Sequence, residues 1–216
     1  MSSPDVLDPL RKGWDRLLER YRVALIDAAP VFDLLIAAYT AAERHYHNVE
    51  HLGEMFRAAA RLATITDDPS TVQLAIWFHD AVYDTRAKDN EARSADLAVC
   101  LLGPIGVPRS ELERVSQLIA ATAHLAQAQP PGDRETAILL DADLAILSSA
   151  EDRYDRYAAA IRQEYSWVPD ADYRTGRGSV LDHFLARPRI YWTEIGFQDW
   201  EDRARANLRA ERGRLN

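Results

Sequence analysis

Apolar residues recur at spacings of three and four along most of the chain, which is the period of an amphipathic α-helix. Segment 5–21 carries one such stripe, formed by Leu7, Leu10, Trp14, Leu17, Leu18 and Tyr21. Pro30 is suited to the first turn of a second helix that reaches about Arg44. No Asn-Gly or Asp-Gly hairpin signal interrupts the pattern. The sequence therefore predicts an all-α fold.

The same periodicity predicts the remaining helices. We expect them over about 49–63, 70–80, 90–102, 110–124, 135–147, 152–165, 173–186 and 198–212. The segments between them are short, and we find no internal repeat. We therefore expect one helical bundle of about ten helices, a single domain that spans residues 1–216.

Composition and charge narrow the classes of partner. The 216 residues include 26 Lys and Arg against 34 Asp and Glu, a net charge of −8. Because nucleic-acid binding relies on a dominant basic surface, we expect no nucleic-acid partner. A local basic pocket for a phosphate is still compatible with this balance, so we expect a small phosphorylated substrate. A homodimer is also compatible with the composition.

The chain shows no signal for export or for membrane insertion. It has one cysteine, Cys100, which fits a reducing compartment. Its first ten residues, MSSPDVLDPL, lack the basic start and apolar run of a signal peptide. No stretch approaches 18 uninterrupted apolar residues, so we expect no membrane helix. These features predict a cytoplasmic protein.

Histidine and aspartate residues interrupt three separate segments at positions typical of a core. They are His47 with His51, His79 with Asp80, and Asp141 with Asp143. Any one of them has an ordinary explanation, such as a hydrogen-bonded core histidine or a charge at a helix end. Three such interruptions together favour a metal site, because ligands from facing helices can converge on one ion. On a helix, His47 and His51, four residues apart, would share nearly one face.

The types of residue restrict the metal and its chemistry. Imidazoles and carboxylates without a thiolate suit one divalent ion of Mn, Mg, Fe, Co, Ni or Zn. Such an ion lowers the pKa of a bound water and polarises a phosphoryl oxygen. Hydrolysis of a small phosphate ester is therefore the expected reaction, and nucleotides are among the candidate substrates.

The order His, His-Asp, Asp resembles the HD superfamily of metal-dependent phosphohydrolases. The matching residues are His51, the pair His79-Asp80, and Asp143. The segment 46–52 also looks like the Tyr-His-Asn-x-x-His string of cyclic-nucleotide phosphodiesterases. Over about 46–191 the chain is similar to a bacterial group of predicted HD-superfamily phosphohydrolases. That similarity is carried by the strings YHN (46–48), FHDAVY (78–83), DNExxSA (89–95), DADL (141–144) and IRxEY (161–165).

The resemblance implies an HD-type helical fold and roles for individual residues. His51, His79, Asp80 and Asp143 would hold the metal, and Asp80 would also belong to the catalytic group. His47 would be the general acid that protonates the leaving oxygen. Asp141 would orient a ligand or the attacking water. Binuclear members of the superfamily often have further histidines before the last aspartate, whereas here only His124 lies there, so one ion is expected.

Candidate substrate-binding residues lie outside the metal motif. They are Lys88, Glu91, His124, Arg162 and Arg177. Arg177 stands between Gly176 and Gly178, which allow an anion to approach the backbone, and Arg177 or Lys88 would offset charge in the transition state. His124 is equally well explained as a histidine at a helix C-terminus.

Two other functions stay open at this point. An HD-type scaffold with paired irons would be an oxygenase, and Asp84, Glu91 and His124 are its only additional ligands. Redox-active iron in the purified protein would favour that hypothesis. Alternatively, the domain is a nucleotide-binding sensor or partner module with little turnover, which tight nucleotide binding without hydrolysis would favour.

Overall fold

The computed structural model describes residues 4–62, 68–124 and 130–215. Over these ranges the chain forms ten α-helices and no strand, which confirms the all-α prediction. The helices are α1 (Pro4–Arg20), α2 (Leu25–Tyr39), α3 (Val49–Leu62), α4 (Ser70–Phe78), α5 (Asn90–Leu102), α6 (Arg109–Ala121), α7 (Arg134–Asp143), α8 (Glu151–Glu164), α9 (Asp170–Ala186) and α10 (Glu194–Arg214). A 3-10 helix, Leu144–Ser148, follows α7 directly. Ala63, the predicted end of the third helix, lies outside the described residues.

The starts of α2 and α10 differ from the predictions, since α10 begins at Glu194 and not at about 198. α2 begins at Leu25, so Pro30 lies inside the helix and not at its first position. α3 begins at Val49, as predicted, so His47 precedes the helix and the expected helical face shared with His51 is not formed. Asn48 causes this start, because its side-chain oxygen accepts hydrogen bonds from the backbone N–H groups of Glu50 (2.9 Å) and His51 (3.4 Å).

α4 runs through the centre of the core. Every residue of this helix except Gln73 is buried, as expected for a helix that is apolar on all sides. Its Trp77 packs edge-on against Trp14 of α1 at 5.4 Å and against Phe32 of α2 at 5.6 Å between ring centroids. His79 directly follows the last turn of α4 and therefore lies inside the bundle.

α3 and α7 pack beside α4 and bring the other candidate ligands towards the same point. His51 lies in the first turn of α3, and Asp143 is the last residue of α7. α8 and α10 pack on the 3-10 helix that follows α7. None of the helices in the described ranges combines the length and hydrophobicity that crossing a bilayer requires.

Candidate metal centre

Two histidines and one aspartate converge at the end of α4. The Nε2 atoms of His51 and His79 are 3.2 Å apart, and Nε2 of His79 lies 3.0 Å from Oδ2 of Asp80. One ligand atom from each of these three residues lies within 4.8 Å of the others, so the group could hold a metal ion. Both histidines are only 1% exposed.

Asp143 approaches the same group from α7. Its Oδ1 atom lies 3.3 Å from Nε2 of His51 and 3.8 Å from Nε2 of His79. The structure thus brings together all four residues that the resemblance proposed as ligands. They come from three segments that are distant in sequence: the start of α3, the residues directly after α4 and the end of α7.

Hydrogen bonding orients the His79 ring towards the cluster. Nδ1 of His79 lies 3.0 Å from the carbonyl oxygen of Ile76, to which it donates, so Nε2 faces the cluster and would offer its lone pair to a metal ion in place of its proton. The other ring nitrogen of His51, Nδ1, is buried and has no hydrogen-bond partner in the described part of the chain. The Nε2 atoms of His51 and His79 face each other, and a metal ion that both coordinate fits this arrangement.

The electrostatics of the cluster also fit a cation. Burial alone would lower the pKa of His79, but Asp80 and Asp143 raise it to about 9. Burial would raise the pKa of Asp80, but His79 and His47 hold it well below its usual range. The two carboxylates thus need nearby positive charge, which a proton on His79 provides here and a divalent cation would provide better. The donor set of nitrogen and oxygen atoms fits such an ion.

His47 lies at the edge of this cluster and is held by Glu164. Its Nε2 atom is 4.0 Å from Oδ2 of Asp80, while its Nδ1 atom is 2.7 Å from Oε2 of Glu164. The second carboxylate oxygen of Glu164 accepts from the backbone N–H groups of Tyr46 (2.7 Å) and His47 (3.0 Å). Burial would lower the pKa of His47, but Glu164 and Asp80 raise it above its ordinary value. No role for Glu164 follows from the sequence, although this residue lies within the IRxEY string.

Arg44 joins the two loops that carry His47 and Asp80. Its guanidinium donates to the carbonyl oxygens of His47 (3.1 Å), Asp80 (2.6 Å) and Ala81 (3.1 Å). Arg44 is buried although it is charged. Its position before the YHN string offers no signal for this role, because the carbonyl groups that it contacts are not encoded by residue type.

The loop after Asp80 is fixed to the start of α5. Ser94 donates to the carbonyl oxygen of Val82 (3.2 Å) and accepts from its N–H (3.1 Å). Asn90 bonds Asp84 in the same reciprocal way, at 2.9 and 3.1 Å. These contacts explain the DNExxSA string in structural terms: it holds the loop that carries Asp80.

Asp141 has a different role from the one expected. Its oxygens accept from the backbone N–H groups of Trp192 (2.7 Å) and Thr193 (2.8 Å) and from the Thr193 hydroxyl (2.6 Å). A Cβ atom at Gly196 would lie 2.6 Å from Oδ2 of Asp141, so glycine is needed there. Burial raises the pKa of Asp141 to about 6. Asp141 therefore anchors the segment that begins α10, and its contacts do not include the metal cluster.

Neither predicted arginine is presented to the cluster. Arg177 is buried and forms a two-pronged ion pair with Glu211 (2.8 and 2.9 Å), beside the Tyr157 hydroxyl. Arg162 donates to the carbonyl oxygens of Tyr165 (2.7 Å) and Val168 (3.1 Å). Both guanidinium groups join elements of the C-terminal half. The glycines beside Arg177 lie within α9 and not in a loop, so they do not offer the expected approach of an anion to the backbone.

The other three candidates have different surroundings. Nε2 of His124 lies 2.7 Å from Oδ2 of Asp143, so His124 contacts the cluster through this carboxylate. Lys88 is exposed on the loop before α5, and Glu91 is half-buried in the first turn of α5. A role of Lys88 and Glu91 in substrate binding stays a prediction.

An exposed tryptophan lies beside the loop that follows Asp80. Trp167 is 47% exposed, and its indole N–H donates to the Thr85 hydroxyl at 2.8 Å. Thr85 in turn lies 3.5 Å from the carbonyl oxygen of Glu164, the residue that holds His47. The Arg86 guanidinium is 5.0 Å from the centroid of the indole. An aromatic face with an adjacent cation therefore lies beside the loop that follows Asp80.

Comparison with known proteins adds no assignment: no family model, no curated protein and no solved structure matches this chain.

Proposed function

We propose that the protein is a metal-dependent hydrolase of small phosphate esters. The observation that carries this proposal is the convergence of His51, His79 and Asp80 with Asp143 around one buried point. Buried charged groups at such a density are characteristic of functional sites, because a fold gains little stability from them.

His51, His79, Asp80 and Asp143 would hold one divalent ion. When bound, such an ion activates a water molecule for attack on phosphorus and polarises a phosphoryl oxygen. His51 and His79 are enclosed in the core, whereas the side chains of Asp80 and Asp143 are 17% and 16% exposed. The substrate and water therefore approach from the side of the two carboxylates.

His47 supplies the proton for the leaving group. Because Nδ1 faces Glu164, the proton that can be donated is on Nε2, which points towards Asp80. Glu164 and Asp80 raise the pKa of His47, which favours the protonated form of this imidazole. Glu164 fixes the ring and stabilises its charged form, and Arg44 holds the backbone on which His47 and Asp80 lie.

The substrate class follows from the surroundings of the centre. Trp167 offers an aromatic face close to the loop of Asp80, and Arg86 adds a positive charge beside it. A nucleobase stacks on such a face, so a nucleotide is the favoured phosphate ester. Lys88, on the same loop, is the available cation for a further phosphate.

A panel of nucleotides and sugar phosphates, assayed with Mn, Mg, Co, Ni, Zn and Fe(II), tests this proposal. We expect release of phosphate that depends on the added ion and is lost in Asp80→Ala. Asp96→Ala, which changes an exposed aspartate on α5, is the matched control and should keep full activity. Absence of turnover with every ion and ester in the panel would contradict the proposal.

Two other hypotheses predict different outcomes of the same experiments. A paired-iron oxygenase would contain two redox-active irons, for which His124, 2.7 Å from Oδ2 of Asp143, is an additional imidazole beside the cluster. The Asp84 side chain is exposed and accepts from the backbone N–H of Arg86 (2.9 Å), which does not favour it as a ligand of a second iron. A nucleotide sensor would bind nucleotide tightly without releasing phosphate.

A further inference from the structure

A second pocket lies between α1, α3 and α4, away from the metal cluster. Its volume is about 620 Å³, which is within the range of ligand-binding cavities. Gly53 and Phe56 line it from α3, and they are displaced by roughly 200° and 140° from His51 around the helix axis. The pocket therefore opens on the face of α3 opposite to the metal cluster.

The charge of this pocket is opposite to that of the whole chain. Arg16, Arg20 and Arg57 line it, and no Asp or Glu belongs to its described lining, although the net charge of the protein is −8. Arg20 reaches outward to Asp68 at 3.1 Å, while Arg16 and Arg57 form no ion pair with any described carboxylate. Arg16 donates through Nε to the carbonyl oxygen of Lys12 (3.1 Å), and its terminal N–H groups, together with the Arg57 guanidinium, can bind an anion.

The floor of the pocket is aromatic and aliphatic. Phe56 and Trp77 lie 5.3 Å apart between ring centroids, and Leu17 packs below them. Phe56 is only partly buried, so an apolar surface is available beside the arginines. The combination fits a ligand with an apolar body and an anionic group.

A glycine keeps the pocket open. Gly13 lies in the interior of α1, where glycine is unfavourable for a helix. A Cβ atom at this position would meet nothing within 4 Å, so packing does not require glycine there. Any larger side chain would instead project into the space that the pocket provides.

We propose that this pocket binds a small organic anion with an aromatic body. The inference does not depend on the hydrolase activity, because neither the ligand nor the pocket involves the metal cluster. α3 and α4 contribute to both sites, so an occupant of the pocket would contact the two helices that carry His51 and His79.

Fluorescence titration with 8-anilinonaphthalene-1-sulfonate tests the proposal. We expect one site with a dissociation constant on the order of 10–100 µM. N-phenyl-1-naphthylamine, which has the same rings without the sulfonate, should bind at least tenfold more weakly. Equal binding of the two compounds would contradict the role of the arginines.

Two pairs of variants test whether the probe binds in this pocket. Gly13→Leu fills the pocket and should weaken binding at least tenfold, whereas Gly176→Leu, the same change at an open helical site on α9, should leave it unchanged. Arg57→Gln should weaken binding several-fold, whereas Arg209→Gln on α10 should not. Thermal melting should show all four variants folded. Binding to Gly13→Leu and Arg57→Gln with the affinity of the unmodified protein would overturn the proposal.

Discussion

Nδ1 of His47 lies 2.7 Å from Oε2 of Glu164, although 117 residues separate them in the chain. The same carboxylate accepts the Tyr83 hydroxyl at 3.0 Å and two backbone N–H groups. This contact aims Nε2 of His47 at the cluster formed by His51, His79, Asp80 and Asp143. The hydrogen bond with Glu164 therefore makes His47 a candidate proton donor.

Replacing His47 should slow hydrolysis according to the leaving group. His47→Ala should lower kcat for alkyl phosphate esters by about 10²–10⁴-fold, because their leaving oxygen needs a proton. The loss should be small for an aryl ester with an acidic phenol, such as p-nitrophenyl phosphate. Steady-state kinetics with both esters measures this difference. An equal loss on the two esters would argue against proton donation by His47.

Glu164→Gln should reproduce part of this effect without removing the imidazole. The variant keeps the shape of the side chain but removes the charge that stabilises protonated His47. We expect the basic limb of the pH profile of kcat to shift towards lower pH, because the pKa of His47 falls. Glu113→Gln, which changes an exposed glutamate paired with Arg109, is the control and should leave the profile unchanged. An unaltered profile in Glu164→Gln would show that Glu164 is only structural.

Glu164 should also contribute to stability in acid. Burial would raise its pKa, but hydrogen bonds from His47 and from backbone N–H groups lower it to about 2, against an ordinary value of 4.5. A carboxyl group with a lowered pKa in the folded state stabilises the fold above its unfolded pKa. That contribution, about 3 kcal/mol, is lost as the pH falls from about 4.5 to about 2. Urea unfolding at a series of pH values should show this loss in the unmodified protein and a flatter curve in Glu164→Gln.

Asp141 and Asp143 should behave differently although they are two residues apart. Asp141→Ala leaves two buried N–H groups of the segment before α10 without their acceptor, and should lower the free energy of unfolding by about 2–4 kcal/mol while metal is retained. Asp143→Ala should weaken metal binding with a smaller effect on unfolding of the metal-free protein. Chemical unfolding and elemental analysis of both variants test this contrast. Loss of metal from a folded Asp141→Ala variant would restore the role that the sequence suggested.

Trp167→Ala should discriminate between substrates. If a base stacks on the indole, KM for a nucleotide should rise roughly tenfold, while KM for a small phosphate ester without a base should not change. Trp167→Phe, which keeps an aromatic face, is the control and should largely preserve KM for the nucleotide. A uniform change of KM for both substrates would contradict stacking.

The helical architecture and the residues of the candidate centre could be predicted from the sequence to different extents. Periodic apolar positions predicted ten helices because most helices bury one stripe, and helix ends such as the starts at Leu25 and Glu194 differed. His51, His79, Asp80 and Asp143 could be selected because a charged or imidazole group in an apolar segment is unusual. Their meeting at one point depends on helix packing, which no local pattern encodes.

The residues around the centre were harder to predict. Arg177 and Asp141 looked suited to a site, but each satisfies buried groups elsewhere, and residue type alone does not distinguish these uses. Glu164 and Arg44 act through contacts with a ring nitrogen and with carbonyl oxygens from distant loops. Such partners become visible only when the chain is folded.

The stoichiometry of bound metal tests the central claim most directly. The protein is dialysed against each candidate divalent ion, freed of excess ion and analysed by elemental analysis beside His79→Ala and the control His45→Ala, which changes an exposed histidine outside the cluster. We predict one ion per chain in the unmodified protein and in His45→Ala, and less than a tenth of that in folded His79→Ala. Equal metal content in all three proteins, or none in the unmodified protein with every ion, would contradict the metal centre.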